Sequence, residues 1–167
     1  GETACQSIMH ADGYQLCNYQ GPCTVNTLSN GNVEICGDLV FQDTTATSID
    51  LTTVEHIAGE LKLKDNAQLQ SFAAPDLREC KEIDTKRPSP FLASLEFPSL
   101  EMLGEFEAED SEVLDTISFP LWSAGWDGED PEVKLEDLLA LQSFSAPNLA
   151  QVDEFQMRMS EDQYATI

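Results

Sequence analysis

Six carboxylates recur at nearly equal spacing along the chain and are its most regular source of chemistry. They occupy the same position in six similar segments: Asp38, Glu60, Glu82, Glu105, Glu132 and Glu154. Carboxylate oxygens are the ligands that Ca²⁺ prefers, and a concentration of them attracts basic partners. No EF-hand-like spacing accompanies them, so we predict no dedicated metal site and no cofactor. The series predicts either a docking strip for Ca²⁺ or a basic partner, or a solvated face that opposes sideways aggregation.

Both tryptophans fall in one irregular segment, residues 121–130, inside a repeat of 27 residues where the others have 22 or 23. Insertions in solenoids often form loops on the binding face, and exposed aromatic rings stack on sugars or anchor partners. Trp122, Trp126 and the adjacent Asp127 are therefore candidate binding residues. The alternative is a packing role, because most tryptophans are largely buried. In that case one ring fills the core position where this repeat lacks a leucine, and the other ring covers the first.

The five cysteines predict disulfides rather than a metal site. No CxxC pair occurs and the only histidines are His10 and His56, so a zinc site has no credible ligand set. Cys80 falls on an apolar position and is predicted to be a buried free thiol. The other four predict two disulfides in an N-terminal cap, with three possible connectivities, and an oxidising, extracellular setting: Cys5, Cys17, Cys23 and Cys36.

The elements that must position these residues are repeats of about 22 residues. In each repeat the third and fifth residues, such as Leu61 and Leu63, are inward candidates in period-two alternation, which predicts a half-buried strand. An apolar–proline–leucine phrase such as Phe72–Pro75–Leu77 follows. A unit this short buries its apolar face only by stacking on its neighbours. The repeats begin at Gly37, Gly59, Lys81, Gly104, Pro131 and Asp153.

The spacing predicts an all-β fold, a right-handed parallel β-solenoid of about six coils of 22–23 residues. A leucine-rich-repeat horseshoe fits less well, because the fixed Asn or Cys after the strand is absent. We predict one compact domain with two parts: a disulfide-bonded cap over residues 1–36 and solenoid repeats over residues 37–167. Within the cap, residues 24–30 are predicted to form a short helix, with Thr24 as N-cap and Gly31 as stop.

The charge of the chain excludes several functions. Its formal net charge is −23, with 8 Lys and Arg against 31 Asp and Glu in 167 residues. Nucleic acids and anionic membrane surfaces would repel such a chain. No apolar run reaches the roughly 18 residues of a membrane span.

Four phrases carry a resemblance to known proteins. LSNGNVEICGDLVF, residues 28–41, resembles the opening of a receptor L domain. SIDLTTVEHIAGELKL, LQSFAAPDL and LASLEFPSLEML resemble fungal GPI-anchored cell-wall organisation proteins, whose folded part is made of receptor-L-domain-like solenoids. The resemblance covers roughly residues 28–155 and implies a secreted or wall-anchored fungal protein without known catalytic residues. This chain is shorter, has a cap richer in cysteine, and shows no anchor signal after Ile167, so a secreted, host-facing relative also fits.

We therefore expect a secreted, non-enzymatic binding or structural module of the cell wall or of a host interface, where an effector role is open to it. Its expected partners are a wall glycan or an extracellular protein, basic proteins included. The alternative is a carbohydrate-active β-helix enzyme, because acid pairs are the usual glycosidase machinery. Against an enzyme, acids are so abundant that pairs arise by chance, and no G-x-S-x-G motif or Cys/His pair is seen.

Overall fold

In the computed structural model, which describes residues 25–159, parallel strands stack as a β-solenoid of about five turns. The predicted all-β parallel solenoid is confirmed, whereas the count of about six coils and the disulfide-bonded cap stay predictions. No helix occurs within residues 25–159. The strands are β1 Val25–Thr27, β2 Val33–Ile35, β3 Leu39–Gln42, β4 Ser48–Asp50, β5 Val54–Lys64, β6 Ser71–Ala73, β7 Glu79–Lys86, β8 Ser94–Glu96, β9 Met102–Ser111, β10 Thr116–Ser118, β11 Glu132–Leu138, β12 Ser143–Ser145 and β13 Glu154–Arg158.

One long sheet, the main sheet, runs the length of the solenoid in the order β1-β2-β5-β7-β9-β11-β13, with β3 also beside β5. The predicted inward columns are in register across it; one column is Leu39, Leu61, Ile83, Phe106 and Val133, all fully buried. The column ends at β13, where Phe155 and Met157 are 51% and 57% exposed, because no other strand among residues 25–159 packs beyond them. The parallel register with Val133 and Leu135 places both side chains on the inward side, as predicted, and their exposure marks the end of the stack of described strands.

The opposite side of each turn is a short strand, and these form two small parallel sheets, β4-β6 and β12-β10-β8. A proline follows β6, β8, β10 and β12 two residues after each strand ends, where the missing N–H no longer interrupts a ladder. Between the two sides, aromatic rings fill the core. Phe119 stacks on Phe97 at 5.1 Å and meets Phe106 edge-on at 4.9 Å.

The main strands bend at a corner where backbones pass very closely. Opposite Lys81, β5 carries one extra residue, so the register shifts between Ile57 and Glu60. A Cβ on Gly59 would lie 2.2 Å from Oδ1 of Asp38 and 2.6 Å from the carbonyl oxygen of Gly37. Only glycine fits this approach, which lets the Glu60 N–H donate to Oδ1 of Asp38 at 2.8 Å.

The helix predicted over residues 24–30 is wrong. Residues 25–35 form an antiparallel hairpin of β1 and β2, closed by a turn in which Gly31 has a φ of 87°. The β-branched residues Val25 and Thr27 and the Asn30–Gly31 pair favour a hairpin over a helix. Because β2 pairs in parallel with β5, this part of the predicted cap belongs to the main sheet.

The predicted disulfides fall mostly outside the described residues, which include neither Cys5, Cys17 nor Cys23. Cys36 is half-buried, and its Sγ lies 3.4 Å from an oxygen of Glu34. Cys80 is fully buried, as predicted for a free thiol, and burial raises the pKa of that thiol to about 12. This pKa keeps Cys80 protonated and chemically inert.

Candidate functional site

The acidic series is a true ladder on the outer surface of the main sheet. Glu82 stands directly opposite Glu60 and Glu105, and the series continues through Glu132 to Glu154. The sixth member, Asp38, points at the Glu60 backbone instead of lying in the strand register. We call this surface the acidic face. It consists of the ladder carboxylates and the other side chains of the same strands that point outward. Successive side chains of a strand point to opposite faces of the sheet. Because the neighbours of each carboxylate along its strand are buried, the carboxylates themselves point outward.

Lysine side chains form ion pairs with carboxylates on the acidic face. Nζ of Lys134 lies 2.8 Å from Glu105 and 3.4 Å from Glu132, and Nζ of Lys62 lies 3.7 Å from Asp84. Exposed pairs of this kind contribute about 0–1 kcal/mol each. Every Lys and Arg of the chain lies in a strand of the main sheet or one residue from its end: Lys62, Lys64, Arg78, Lys81, Lys86, Arg87, Lys134 and Arg158.

The centre of the acidic face remains crowded with negative charge. Side-chain oxygens of Glu82, Glu105 and Glu107 lie within 4.8 Å of one another. Burial, reinforced by neighbouring carboxylates, raises the pKa of Glu82 and of Glu107. Burial together with Glu82 raises the pKa of Glu60 to about 7. The cluster is compatible with a cation, but Ca²⁺ takes about 6–8 oxygen ligands, so three half-buried carboxylates do not specify one.

The tryptophan insertion folds back against the solenoid. Trp122 is fully buried; its Nε1–H donates to the carbonyls of Leu103 at 3.1 Å and Ala124 at 3.0 Å. Its ring lies 5.0 Å from that of Phe119. This is the packing role, and the Trp122 ring presents no surface to a ligand. Gly104 makes room for the insertion, because a Cβ there would lie 2.9 Å from Cβ of Trp126.

Trp126 and Asp127 remain accessible at the surface. Trp126 is half-buried and its ring centroid lies 5.6 Å from that of His56. Asp127 is exposed, with a left-handed φ of 52° that a short polar side chain tolerates. The structure thus separates the three predicted binding residues: Trp122 is in the core, whereas the other two lie at the surface and stay predictions.

A histidine–carboxylate pair was not anticipated from the sequence. Nδ1 of His56 lies 2.7 Å from Glu79, its partner in the parallel register of β5 and β7. The sequence contained a signal for this pair, because His56 and Glu79 occupy equivalent positions in consecutive repeats. A groove of about 340 Å³ adjoins the pair, and the residues that line it include no hydroxyl or thiol nucleophile. A carboxylate that holds a histidine in this way has the geometry of a positioned general base, and the same geometry is common in surface ion pairs.

A second unanticipated feature is a ladder of left-handed residues at the carboxyl ends of the main strands. Their φ values are 55°, 53°, 44°, 55° and 50° at Asp43, Asp65, Arg87, Asp110 and Asp137. Aspartate enters this region at low cost, which explains its recurrence there. The last four line a groove of about 630 Å³ that crosses successive turns, and we call it the corner groove.

No protein-family model, curated protein or solved structure matches this chain. Between residues 25 and 159, no helix has the length and apolar character needed to cross a membrane.

Proposed function

We propose that this chain is a secreted, non-enzymatic binding module that presents its acidic face to a cationic partner at a cell wall or host interface. The observation that carries the proposal is the unbroken register of Glu60, Glu82, Glu105, Glu132 and Glu154 along one surface. The sequence resemblance to fungal wall proteins supports the location, and the acidic face supports the class of partner.

The arrangement of charge is unfavourable for the isolated protein. Carboxylates ~4.8 Å apart repel by about 1 kcal/mol in water and by about 3.5 kcal/mol at an effective dielectric constant of about 20. Like charges placed directly opposite each other destabilise a sheet. A cationic partner relieves this repulsion when it binds, so the same charges that weaken the free module strengthen the complex.

The partner is a wall glycan or an extracellular protein that carries positive charge. The test is binding, measured by biolayer interferometry with the partner immobilised, to a deacetylated chitin oligosaccharide, a neutral β-glucan and poly-lysine. We expect binding to the two cationic probes that weakens as salt is raised, and little binding to the neutral glucan.

The variant that tests the acidic face is Glu82→Gln with Glu107→Gln, because these carboxylates lie at its crowded centre. The matched control is Glu96→Gln, an exposed acid on the opposite side of the solenoid. Loss of binding in the double variant with retention in the control supports the proposal. Equal binding by both variants, or preference for the neutral glucan, would refute it.

The second candidate function is a carbohydrate-active enzyme, favoured by the His56–Glu79 pair at 2.7 Å. Release of reducing sugar or unsaturated product from wall polysaccharides, abolished by His56→Ala, would establish it. Binding of the same polysaccharides without turnover would leave the binding module as the function.

A further inference from the structure

The corner groove combines an apolar wall with a carboxylate rim. Its apolar wall includes Val113 and Leu139, and Leu139 is 50% exposed. Four carboxylates and one guanidinium line it, so its formal charge is −3: Asp65, Asp110, Glu112 and Asp137 against Arg87. A surface with an apolar strip beside negative charge suits a ligand that has an apolar stem and a cationic head.

Arg87 shows how such a head is held at this corner. Its Nε and one terminal nitrogen face the two oxygens of Asp65 at 2.9 and 3.4 Å, and the other terminal nitrogen lies 3.6 Å from Asp110. A planar guanidinium therefore bridges carboxylates of non-adjacent turns. A compact ammonium does not offer the same fork of donors.

The groove extends past Arg87 to Glu112, Val113 and Leu139. Arg87 offsets part of the charge through Asp65 and Asp110, and no other cation among the described residues lines the groove. From this charge complementarity we infer that the corner groove binds an arginine-bearing, extended peptide segment of a protein partner. The guanidinium of the partner pairs with Asp110 and Glu112, and its stem packs on Val113 and Leu139. This inference rests on the proposed function and names the partner class as a basic protein.

The dimensions fit a short segment. Four successive turns contribute residues to the groove, and three strand spacings amount to about 14 Å. An extended peptide covers that length in about four residues, with every second side chain on the same side. Arginine at alternate positions thus presents its guanidinium groups to one wall.

The experiment measures, by fluorescence anisotropy, the affinity of the full chain for a labelled hexapeptide that alternates arginine with serine. A hexapeptide that alternates lysine with serine is the comparison. We expect the arginine peptide to bind at least threefold more tightly than the lysine peptide. The double variant Asp110→Asn with Glu112→Gln should weaken arginine-peptide binding at least tenfold, whereas the acidic-face control Glu132→Gln should change it less than twofold.

Leu139→Ser removes the exposed part of the apolar wall without entering the core, and it should weaken binding at least threefold. Each variant is compared with the wild type by its cooperative melting transition. If the double variant Asp110→Asn/Glu112→Gln fails to melt cooperatively, Leu139→Ser decides the question, because a substitution at an exposed side chain leaves the fold intact.

The outcomes separate this inference from the proposed function. Tight binding of poly-lysine without binding of the arginine peptide overturns the groove inference and leaves the binding module standing. Arginine-peptide binding that is lost in Glu82→Gln/Glu107→Gln but kept in the groove variants also overturns it, in favour of the acidic face. Failure of every cationic probe would refute both proposals.

Discussion

Acidification from pH 7.5 to pH 5 should stabilise this protein, and Glu60 is the residue chiefly responsible. Burial and the neighbouring Glu82 raise the pKa of Glu60 from 4.5 to about 7. The folded state then binds more protons than the unfolded state between those two values. The stabilisation is complete below pH 4.5 and is lost as the pH rises through about 7. Glu82 and Glu107, whose pKa values are also raised, act in the same direction.

The size of the effect follows from the Glu60 shift. A shift of about 2.5 pKa units corresponds to at most about 3.4 kcal/mol, at 1.36 kcal/mol per unit. The Glu60 side chain is 25% exposed and lies near the ammonium of Lys62. Solvent and this counter-charge therefore screen part of the free energy that the pKa shift represents. After that discount we expect a stabilisation of about 1.5 kcal/mol. For a chain of this size that free energy raises Tm by about 3–6 °C.

The assay is thermal unfolding followed by circular dichroism at pH 5 and pH 7.5, at constant ionic strength. Glu60→Gln removes the titrating group while its amide can still donate to Asp84, as the protonated acid does. We expect the variant to melt higher than the wild type at pH 7.5 and to lose most of the pH response. Glu132→Gln, in the same ladder but 3.4 Å from Lys134, is the matched control and should keep that response.

The reasoning would be refuted by a wild type that melts at the same or a lower temperature at pH 5 than at pH 7.5. It would also fail if Glu60→Gln kept the full pH response. Below about pH 4 the trend should reverse. The pKa values of Asp50 and Asp65 are lowered by hydrogen bonds to Thr52 and Arg87, so their stabilising contributions are lost as the pH falls.

Four further predictions concern packing and ligands. Trp122→Ala should reduce the free energy of unfolding in urea by about 3–5 kcal/mol, because it opens a cavity and leaves two carbonyls without their donor; a loss below 1 kcal/mol would contradict its core position. Gly59→Ala should destabilise by about 1–3 kcal/mol through its contacts with the Gly37 carbonyl and Asp38, while Gly31→Asn, with nothing within 4 Å of its Cβ, should cost only the backbone strain of a φ of 87°, about 1 kcal/mol. Arg87→Asn should change the free energy of unfolding by less than about 1 kcal/mol, since exposed ion pairs are weak and asparagine accepts a left-handed backbone; a larger loss would show that the corner ladder depends on its guanidinium. Millimolar Ca²⁺ should raise Tm no more than sodium at the same ionic strength, and a clear excess would establish a cation site on the acidic face.

Much of the fold was predictable because two periods coincide in the sequence. Alternation within a strand fixes which residues face inward, and a repeat of about 22 residues fixes which strands are neighbours. Together they determine that Leu61 stands beside Ile83 and Glu60 beside Glu82, which the structure bears out. A slip of one residue would have exposed every apolar column, so the register follows from the pattern itself.

The parts that could not be predicted depend on single backbone conformations or on contacts outside the repeat. The Asn30–Gly31 turn decides between hairpin and helix through the φ of Gly31, which helix-start and helix-stop signals do not describe. The position of Trp126 beside His56 depends on how an insertion without a counterpart in other repeats folds back. The corner groove arises because aspartate recurs at or beside the carboxyl end of most main strands, a signal that the charge-rich composition hides.

The concentration of basic residues on the main sheet has a practical consequence for handling the protein. All five lysines, Lys62, Lys64, Lys81, Lys86 and Lys134, lie in strands of that sheet. Lysine-directed coupling to a sensor surface would therefore attach the molecule through the side proposed to bind, and would hide that side from a partner in solution. Attachment through the opposite side, for example at a cysteine introduced in place of Glu96, would leave the acidic face open. A binding experiment with the module immobilised at random through its amines would report weak association for a reason unrelated to affinity.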